Sequence, residues 1–577
     1  MKNVHELYNG WLEQSLPSYL AEELALIASD EQAVEDRFYQ YVSFGTGGMR
    51  GVLGAGTNRI NVYTIRRVAE GLARYIESNG EAAKKRGVVI AFDTRHFSYE
   101  FACETASVLG AHGIRSYVYK EARPTPQLSF TVRKLNAYAG VVITASHNPK
   151  QYNGFKVYGE DGAQLTPQFA EAIIGYMNGI EDIFAIQVKD LSFLEQQELV
   201  TWLAGDLDDA YLSSLLSLKE NQDIALDMKL VYTPLHGAGL VPVSEGLRAF
   251  GFQQVHIVEQ QAVQDGDFPT VSYPNPEESK AFELAMKLGV QVGADLLLAT
   301  DPDADRLGVA VRNVDSYELL TGNQLGALLL HYLLSTKQQL GALPSNGVML
   351  KTIVTSELGT QIAEKFGVTT VNTLTGFKYI AEKIAEYEQS GDYSYVFGYE
   401  ESYGYLIETF VRDKDAVQVA LKVAEMSAFY AKKGQTLLDG LQSLYEQFGT
   451  YQEALVSQVF EGKNGQEEMK AILNNLRQNA PTSIGGIAVK RFEDYLTSIS
   501  TLADGTTENI TLPKENVLKY VLEDNSWVAI RPSGTEPKCK FYFGVVGQTA
   551  EEAKDKLKRL QAAFEVKRDP IKKRPLF

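Results

Sequence analysis

Along most of this chain a short apolar run stops at a loop rich in glycine or charge, and a helical stretch follows. GVVIAFDTRHFS, AYAGVVITASHNP, MKLVYTPLHGAG, ADLLLATDPDADR, VMLKTIVTSELG and YSYVFGYEESYGY all share this form. Runs of this length and branching read as buried strands. Segments such as LAMKLG and AEKIAEYEQS supply helices between them. Strand and helix in alternation predict parallel sheets built from βαβ units. The 577 residues leave room for several such domains, at roughly 100–200 residues each. The first 42 residues have helical apolar spacing, and Asn61 is placed to cap the helix VYTIRRVAEGLARYIES. Beyond residue 450 the pattern changes. QEEMKAILNNLRQ reads as a helix, and GGIAVKRFEDYL, NVLKYVLEDNSWVAIR and KCKFYFGVVG as strands with a hairpin turn at EDNS. TAEEAKDKLKRLQAAFEV closes the chain as an amphipathic helix. The expected class is α/β: three mixed α/β domains over 1–205, 206–322 and 323–450, and a small α+β domain over 451–577.

The net charge of −18 argues against a nucleic-acid or anionic-membrane surface. Phosphate can still bind such a protein through local cations and backbone N–H groups. Cys103 and Cys539 are far apart and make neither a disulfide framework nor a zinc motif. The polar N-terminus lacks the apolar core of a signal peptide. The longest apolar stretch, Leu325–Leu334, is too short to span a bilayer and contains His331. The simplest expectation is a reduced, cytoplasmic protein.

Asp301-Pro-Asp303-Ala-Asp305-Arg306 carries the strongest chemical signal. Three carboxylates at alternate loop positions can converge on one cation, and hard oxygen ligands suit Mg²⁺. An EF-hand loop needs Gly at position six, where this chain has Arg306. A solvated acidic turn is the plainer alternative. Ser146 follows the strand run Val141–Ile143, on the loop beyond its carboxyl end, where ligands sit in open α/β sheets. It is either a phosphate acceptor beside His147 or a serine that caps a turn. Arg531-Pro-Ser533-Gly534-Thr535-Glu-Pro-Lys538 offers a guanidinium fork and hydroxyls around a tetrahedral anion, or else is a hairpin loop. Glu400 and Glu401 in GYEES can accept from sugar hydroxyls, or sit in an exposed turn. FGTGGMRG with Arg50, Thr375-Gly376-Phe377-Lys378 and Arg412-Asp413-Lys414-Asp415 are weak alone.

Taken in order, GTGGMRG, TASHNP, DPDADR, GYEES and RPSGTEPK resemble the α-D-phosphohexomutase superfamily over nearly the whole chain. The length and the YEES form resemble the branch of bacterial α-phosphoglucomutases, phosphopentomutases and glucose-1,6-bisphosphate synthases. Tyr399 stands where that pattern usually has Gly. The resemblance implies four domains around one cleft. It implies that Ser146 carries the transferred phosphoryl group and that Asp301, Asp303 and Asp305 bind Mg²⁺ with Ser146 completing the site. Arg306 would contact the phosphoryl group, Glu400 and Ser402 the sugar, and Arg531, Ser533, Gly534 and Thr535 the non-reacting phosphate. Arg50, His147, Lys156, Thr375, Gly376, Lys378 and Lys414 would support them. His147 and Lys414 both remain candidates for the general acid/base.

The implied reaction moves phosphate between O1 and O6 of glucose through glucose 1,6-bisphosphate. Three aspartates, a phosphoserine and a sugar phosphate outweigh Mg²⁺ and Arg306 by roughly four charges. A collar of Arg50, Lys156, Lys378, Lys414 and Arg531 is therefore expected around one cleft. Rival readings are another sugar phosphate, synthesis of the bisphosphate, a phosphatase, or a non-catalytic sugar-phosphate sensor. Oligomeric state is left open.

Overall fold

The computed structural model describes residues 3–45, 48–460, 462–532 and 538–564. Helices α1 (Val4–Leu12), α2 (Ser18–Leu26) and α3 (Glu31–Phe38) open the chain. Asn3 and Asp30 cap α1 and α3 through their side-chain oxygens. Their apolar faces bury Trp11, Leu20, Leu24 and Phe38 against Tyr63 and Ile183. Helix α4 (Val62–Ser78) starts at Asn61, whose side chain accepts from the N–H groups of Tyr63 and Thr64, as the sequence predicts.

Among the described residues the strands form four sheets. The first holds β1 (Phe44–Gly45), β2 (Gly48–Val52), β3 (Val88–Phe92), β4 (Ser116–Tyr119), β5 (Ala139–Ile143), β6 (Tyr152–Tyr158) and β7 (Val200–Leu203), in the order β1-β2-β6-β5-β3-β4-β7. The second holds β8 (Lys229–Thr233), β9 (Gln254–Ile257), β10 (Leu296–Thr300), β11 (Leu307–Asn313) and β12 (Ser316–Leu319), in the order β12-β11-β10-β8-β9. The third holds β13 (Gly347–Thr352), β14 (Thr369–Thr373), β15 (Ser394–Glu400) and β16 (Gly404–Leu406), in the order β14-β13-β15-β16.

Parallel pairing runs from the centre of each of these sheets out to one edge, and antiparallel strands make up the other side, so the sheets are mixed, as expected of mixed α/β domains. β5, β10 and β15 each have a parallel neighbour on one side and an antiparallel one on the other. The reason is connection length. A parallel return needs a crossover of about a dozen residues or more. The links over 144–151, 301–306 and 401–403 are shorter and reverse the chain directly. Each of these short reversals carries one of the motifs that stood out in the sequence.

The fourth sheet is antiparallel. It holds β17 (Thr450–Val459), β18 (Ser483–Ile484), β19 (Ile487–Asp494), β20 (Ile499–Leu502), β21 (Thr507–Asn509), β22 (Leu518–Leu522), β23 (Trp527–Pro532) and β24 (Lys538–Gly547). Its path is β17-β24-β23-β22-β19-β20-β21, with β18 on β19. The predicted hairpin joins β22 to β23, with Asn525 left-handed at its turn (φ 63°). The helix Ala550–Ala563 covers one face. The second and third sheets share one continuous apolar core, in which Val417 and Leu421 of one unit meet Val243 and Leu247 of the other.

Behind the first sheet, His112 ends the helix Ser98–Ala111 and lies between two carboxylates. Its Nε2 is 2.8 Å from Glu70 and its Nδ1 2.9 Å from Glu77. The bond to Glu70 raises the imidazole above its ordinary value, against the effect of burial. That contribution to stability is complete below the ordinary value of about 6.5 and fades as pH rises through the raised one. Wild type should lose thermal stability as pH climbs through that window, and His112→Gln should show a flatter dependence in scanning calorimetry. Parallel curves for the two proteins would remove His112 from the pH response.

Candidate active site

A cleft of about 950 Å³ opens where the four units meet. Arg50 and His147 come from the first unit, Glu277 and Arg306 from the second, Gly376, Glu400 and Ser402 from the third, and Arg531 and Lys540 from the fourth.

The serine loop sits at the carboxyl end of β5. Ser146 is held left-handed (φ 53°), and its N–H donates to Thr144 Oγ1 at 2.8 Å. A left-handed L-residue is costly and persists only where its surroundings dictate it. Arg95 does so here. Its guanidinium donates to the carbonyls of Ser146, Asn148, Pro149 (2.9 Å) and Tyr152 (3.1 Å). Asp93 lies 3.2 Å from Arg95 Nε and accepts from the hydroxyls of Thr144 and Ser98 at 2.6 and 2.7 Å. Both side chains are fully buried.

The aspartate loop sits at the carboxyl end of β10. Asp301 Oδ1 accepts from the N–H groups of Asp305 (3.1 Å) and Arg306 (3.0 Å), while Ala304 turns left-handed (φ 48°). The LHGAG turn supports it from below. Ala238 N–H donates to the Pro302 carbonyl at 2.8 Å, and a Cβ on Gly237 would lie 2.5 Å from Pro302 Cα. One side-chain oxygen from each of Asp301, Asp303 and Asp305 falls within 4.8 Å of the others, and all three residues are buried. Ser146 Oγ donates to Asp301 Oδ2 at 2.7 Å and lies 3.2 Å from His147 Nδ1. The two loops, 155 residues apart in sequence, meet at that bond.

Burial and the carboxylates of Asp303 and Asp305 hold Asp301 well above the usual carboxylate range. For Asp305, burial acts upward but is outweighed by Lys414, Lys156 and Arg306, and its carboxyl stays below that range. Oδ1 of Asp303 and Oδ1 of Asp305 are buried and accept no hydrogen bond among the described residues. Uncommitted, converging, buried carboxylate oxygens fit a hard divalent cation.

Cations surround this cluster. Lys156 Nζ lies 2.9 Å from Asp303 and 3.5 Å from Asp305. Lys414 Nζ lies 3.2 Å from Asp305 and 3.3 Å from Asp413, which also accepts from the buried Tyr158 hydroxyl at 2.7 Å. Arg306 pairs with Glu277 at 2.6 Å and donates to the Ser402 carbonyl at 3.0 Å. Arg50 donates to Asn148 Oδ1 at 3.0 Å. Burial and the Arg306 and Arg50 guanidiniums push the His147 imidazole well below its ordinary value. Its ring meets Tyr273 edge-on at 5.7 Å.

On the far side, Glu400 Oε1 accepts from Gly376 N–H at 2.8 Å, and Thr375 lines the cleft. Burial, then Glu400, pushes Glu401 up to about 7. Arg531 pairs with Glu515 at 3.0 Å and lies beside Lys540 in the sheet register. Ser533, Gly534 and Thr535 lie outside the described residues.

Lys378 is set back from the cleft wall, as Lys156 and the aspartates are, with Glu515 and the cleft residue Arg531 acting on its ammonium. It lines a neighbouring cavity of about 350 Å³ between Tyr138, Phe169 and the helix Phe377–Ser390, because it follows Gly376 and Phe377 onto the first turn of that helix. Burial lowers it to about 8. Tyr399, the departure from the family pattern, lies outside the cleft. It is fully buried, stacked on Phe397, with its ring against Gly326 and its hydroxyl against Gly359. Neighbouring residues on a strand face opposite sides, so Tyr399 and Glu400 cannot both meet a ligand.

Arg95, Thr125, Glu277 and Lys540 were not singled out as site residues. Lys540 had a usable signal, being two residues past Lys538 on a strand and so on the same face. The others had none, since their partners are distant in sequence.

Four family models match the chain in order, described as phosphoglucomutase/phosphomannomutase alpha/beta/alpha domains I, II and III and the C-terminal domain. They cover residues 42–183, 209–314, 321–448 and 458–563. A phosphoglucomutase of Staphylococcus haemolyticus is 40% identical over 516 residues, 89% of this chain and 91% of its own. A phosphoglucomutase of Staphylococcus epidermidis is 39% identical over 554 residues, 94% of this chain and 99% of its own. The same fold occurs in the Paramecium phosphoprotein pp63/parafusin, a phosphoglucomutase solved in an open form. Its TM-score is 0.64 at 18% identity, covering 91% of this chain and 94% of that one. A phosphoglucomutase/phosphomannomutase family protein of Burkholderia thailandensis gives 0.65 at 18% identity, covering 90% of this chain and 97% of that one.

Proposed function

The chain belongs to the phosphoglucomutase/phosphomannomutase family, and on that premise we propose that it interconverts glucose 1-phosphate and glucose 6-phosphate through a phosphorylated Ser146. One observation carries the reading: the Ser146 hydroxyl meets a buried aspartate cluster at the edge of a cleft lined with cations. We read the four units as 1–205, 206–322, 323–450 and 451–577, each giving one loop to the cleft.

Asp301, Asp303 and Asp305 would hold Mg²⁺, with a Ser146 phosphate oxygen beside them. When bound, the ion supplies positive charge against the phosphoryl group being transferred. The P–O bond to Ser146 breaks as one forms to the free sugar hydroxyl, whose proton leaves to a neighbouring base. The product is glucose 1,6-bisphosphate. After it turns over, the other phosphoryl group returns to Ser146. Phosphoryl transfer leaves proteins mainly positioning and charge neutralisation to perform. Arg50, Arg306, Lys156 and Lys414 neutralise charge here. His147 Nδ1 is 3.2 Å from the reacting oxygen, within reach of its proton. Glu400, Ser402, Thr375 and Gly376 would read the sugar. Arg531 would hold the far phosphate with Ser533, Gly534 and Thr535, and Lys378 would support this side from behind. A fourth unit that opens would let the bisphosphate turn while water stays out. We place the reaction in the cytoplasm. No helix among the described residues is long and apolar enough to cross a membrane.

A coupled assay tests this reading. Glucose 1-phosphate should be converted, glucose 1,6-bisphosphate should stimulate, and inorganic phosphate should not appear. A higher kcat/KM on mannose, ribose or deoxyribose phosphates would reassign the sugar. Net formation of the bisphosphate would make the protein a synthase, and release of phosphate would make it a phosphatase.

A further inference from the structure

The three carboxylates of the aspartate loop have six oxygens, and the surrounding protein commits some and leaves others free. Asp301 Oδ1 is taken by two backbone N–H groups and Oδ2 by the Ser146 hydroxyl. Asp305 Oδ2 faces the ammoniums of Lys414 and Lys156 at 3.2 and 3.5 Å. Asp305 Oδ1 accepts no hydrogen bond, and Arg306 Nε stands off at 3.8 Å. Asp303 Oδ2 accepts from Lys156 Nζ at 2.9 Å and from the Thr125 hydroxyl at 2.8 Å. Asp303 Oδ1 is buried and accepts nothing among the described residues.

Thr125 belongs to the first unit, not to the one that carries the aspartates. It is fully buried at the first position of the helix Thr125–Leu135, between Pro124 and Pro126. Its N–H donates to the Asp303 carbonyl at 2.9 Å while its hydroxyl donates to Oδ2 of the same residue. One residue thus grips Asp303 by backbone and side chain together. A carboxylate bonded at one oxygen only by a flexible lysine can rotate about its own axis. The second donor, on a short and fully packed side chain, stops that rotation.

We propose that Thr125 is a positioning residue for the divalent cation: its hydroxyl locks Asp303 so that Oδ1 faces the ion, and it ties the metal loop of the second unit to the first. The inference rests on the metal reading given above. Partners that orient a ligating side chain typically contribute about 10–100-fold in metal affinity. Lys156 cannot substitute, because its ammonium is shared with Asp305.

The test is Mg²⁺ titration of the full-length dephosphorylated protein by isothermal calorimetry, without substrate. Thr125→Val keeps the shape and removes the donor, so it should bind Mg²⁺ about 10–100-fold more weakly. Thr125→Ser restores the hydroxyl and should return most of that affinity. At saturating Mg²⁺, KM for glucose 1-phosphate should be unchanged in both. If the Val variant melts well below wild type, Thr125→Ala carries the same expectation without the added methyl. Wild-type-like Mg²⁺ affinity in the Val and Ala variants, or a Ser variant as weak as Val, would overturn the role of Thr125 alone. A wild-type protein that takes up no Mg²⁺ in either its dephosphorylated or its Ser146-phosphorylated form would overturn the metal reading with it.

Discussion

Ser146→Ala should abolish conversion of glucose 1-phosphate and leave no phosphoserine in peptides analysed by mass spectrometry. The expected fall in kcat is on the order of 10⁴-fold or more, as for other enzymes stripped of the group that carries the covalent step. No neighbour can stand in. The Thr144 hydroxyl is committed, donating to Asp93 at 2.6 Å and accepting from the Ser146 N–H at 2.8 Å. The fold should survive, because the substitution removes one hydroxyl, whose bond contributes about 1 kcal/mol. An unchanged melting curve together with lost turnover is therefore the expected pair. Activity within tenfold of wild type would remove Ser146 from the reaction.

Arg95→Leu should give the largest loss of stability. Arg95 and Asp93 are both buried, and burial raises the Asp93 carboxyl and lowers the Arg95 guanidinium. The pair is not a large net stabiliser, since both charges are desolvated. Removing one partner is different, because the other charge is left buried and uncompensated, at a cost of about 3–5 kcal/mol. Four backbone carbonyls of the serine loop also lose their donor. The first urea transition should move to lower concentration, and proteases should cut near residues 146–152. Arg95→Lys separates charge from geometry. One ammonium cannot reproduce the planar fork. The Lys variant should regain part of the urea midpoint while kcat stays low. Equal kcat for the Lys variant and wild type would show that the loop does not depend on the fork.

Some of this site was legible because its chemistry is local. Asp301, Asp303 and Asp305 are near neighbours on one loop, and loop spacing alone brings their oxygens together. Asn61 caps α4 because its partners follow within three residues. Other roles were hidden by sequence distance. Thr125 and Asp303 are 178 residues apart, and Tyr158 and Asp413 are 255 apart. A lone threonine before a proline or a tyrosine at a strand end has ordinary structural uses, so nothing in the string separates these from others. Tyr399 departs from the family pattern beside Glu400, and the two-residue period of a strand assigns it to the other face.

By itself, then, the order of residues determined which loops carry charge, where strands stop, and that a serine and an acidic triplet belong to the same family pattern. Only the folded chain decided that Ser146 touches Asp301, that Thr125 bonds to Asp303, and which carboxylate oxygens stay free. The physical reason is range. Backbone preference and periodicity act over a few residues, whereas a buried charge is settled by whichever distant groups the sheets bring within about 3 Å of it.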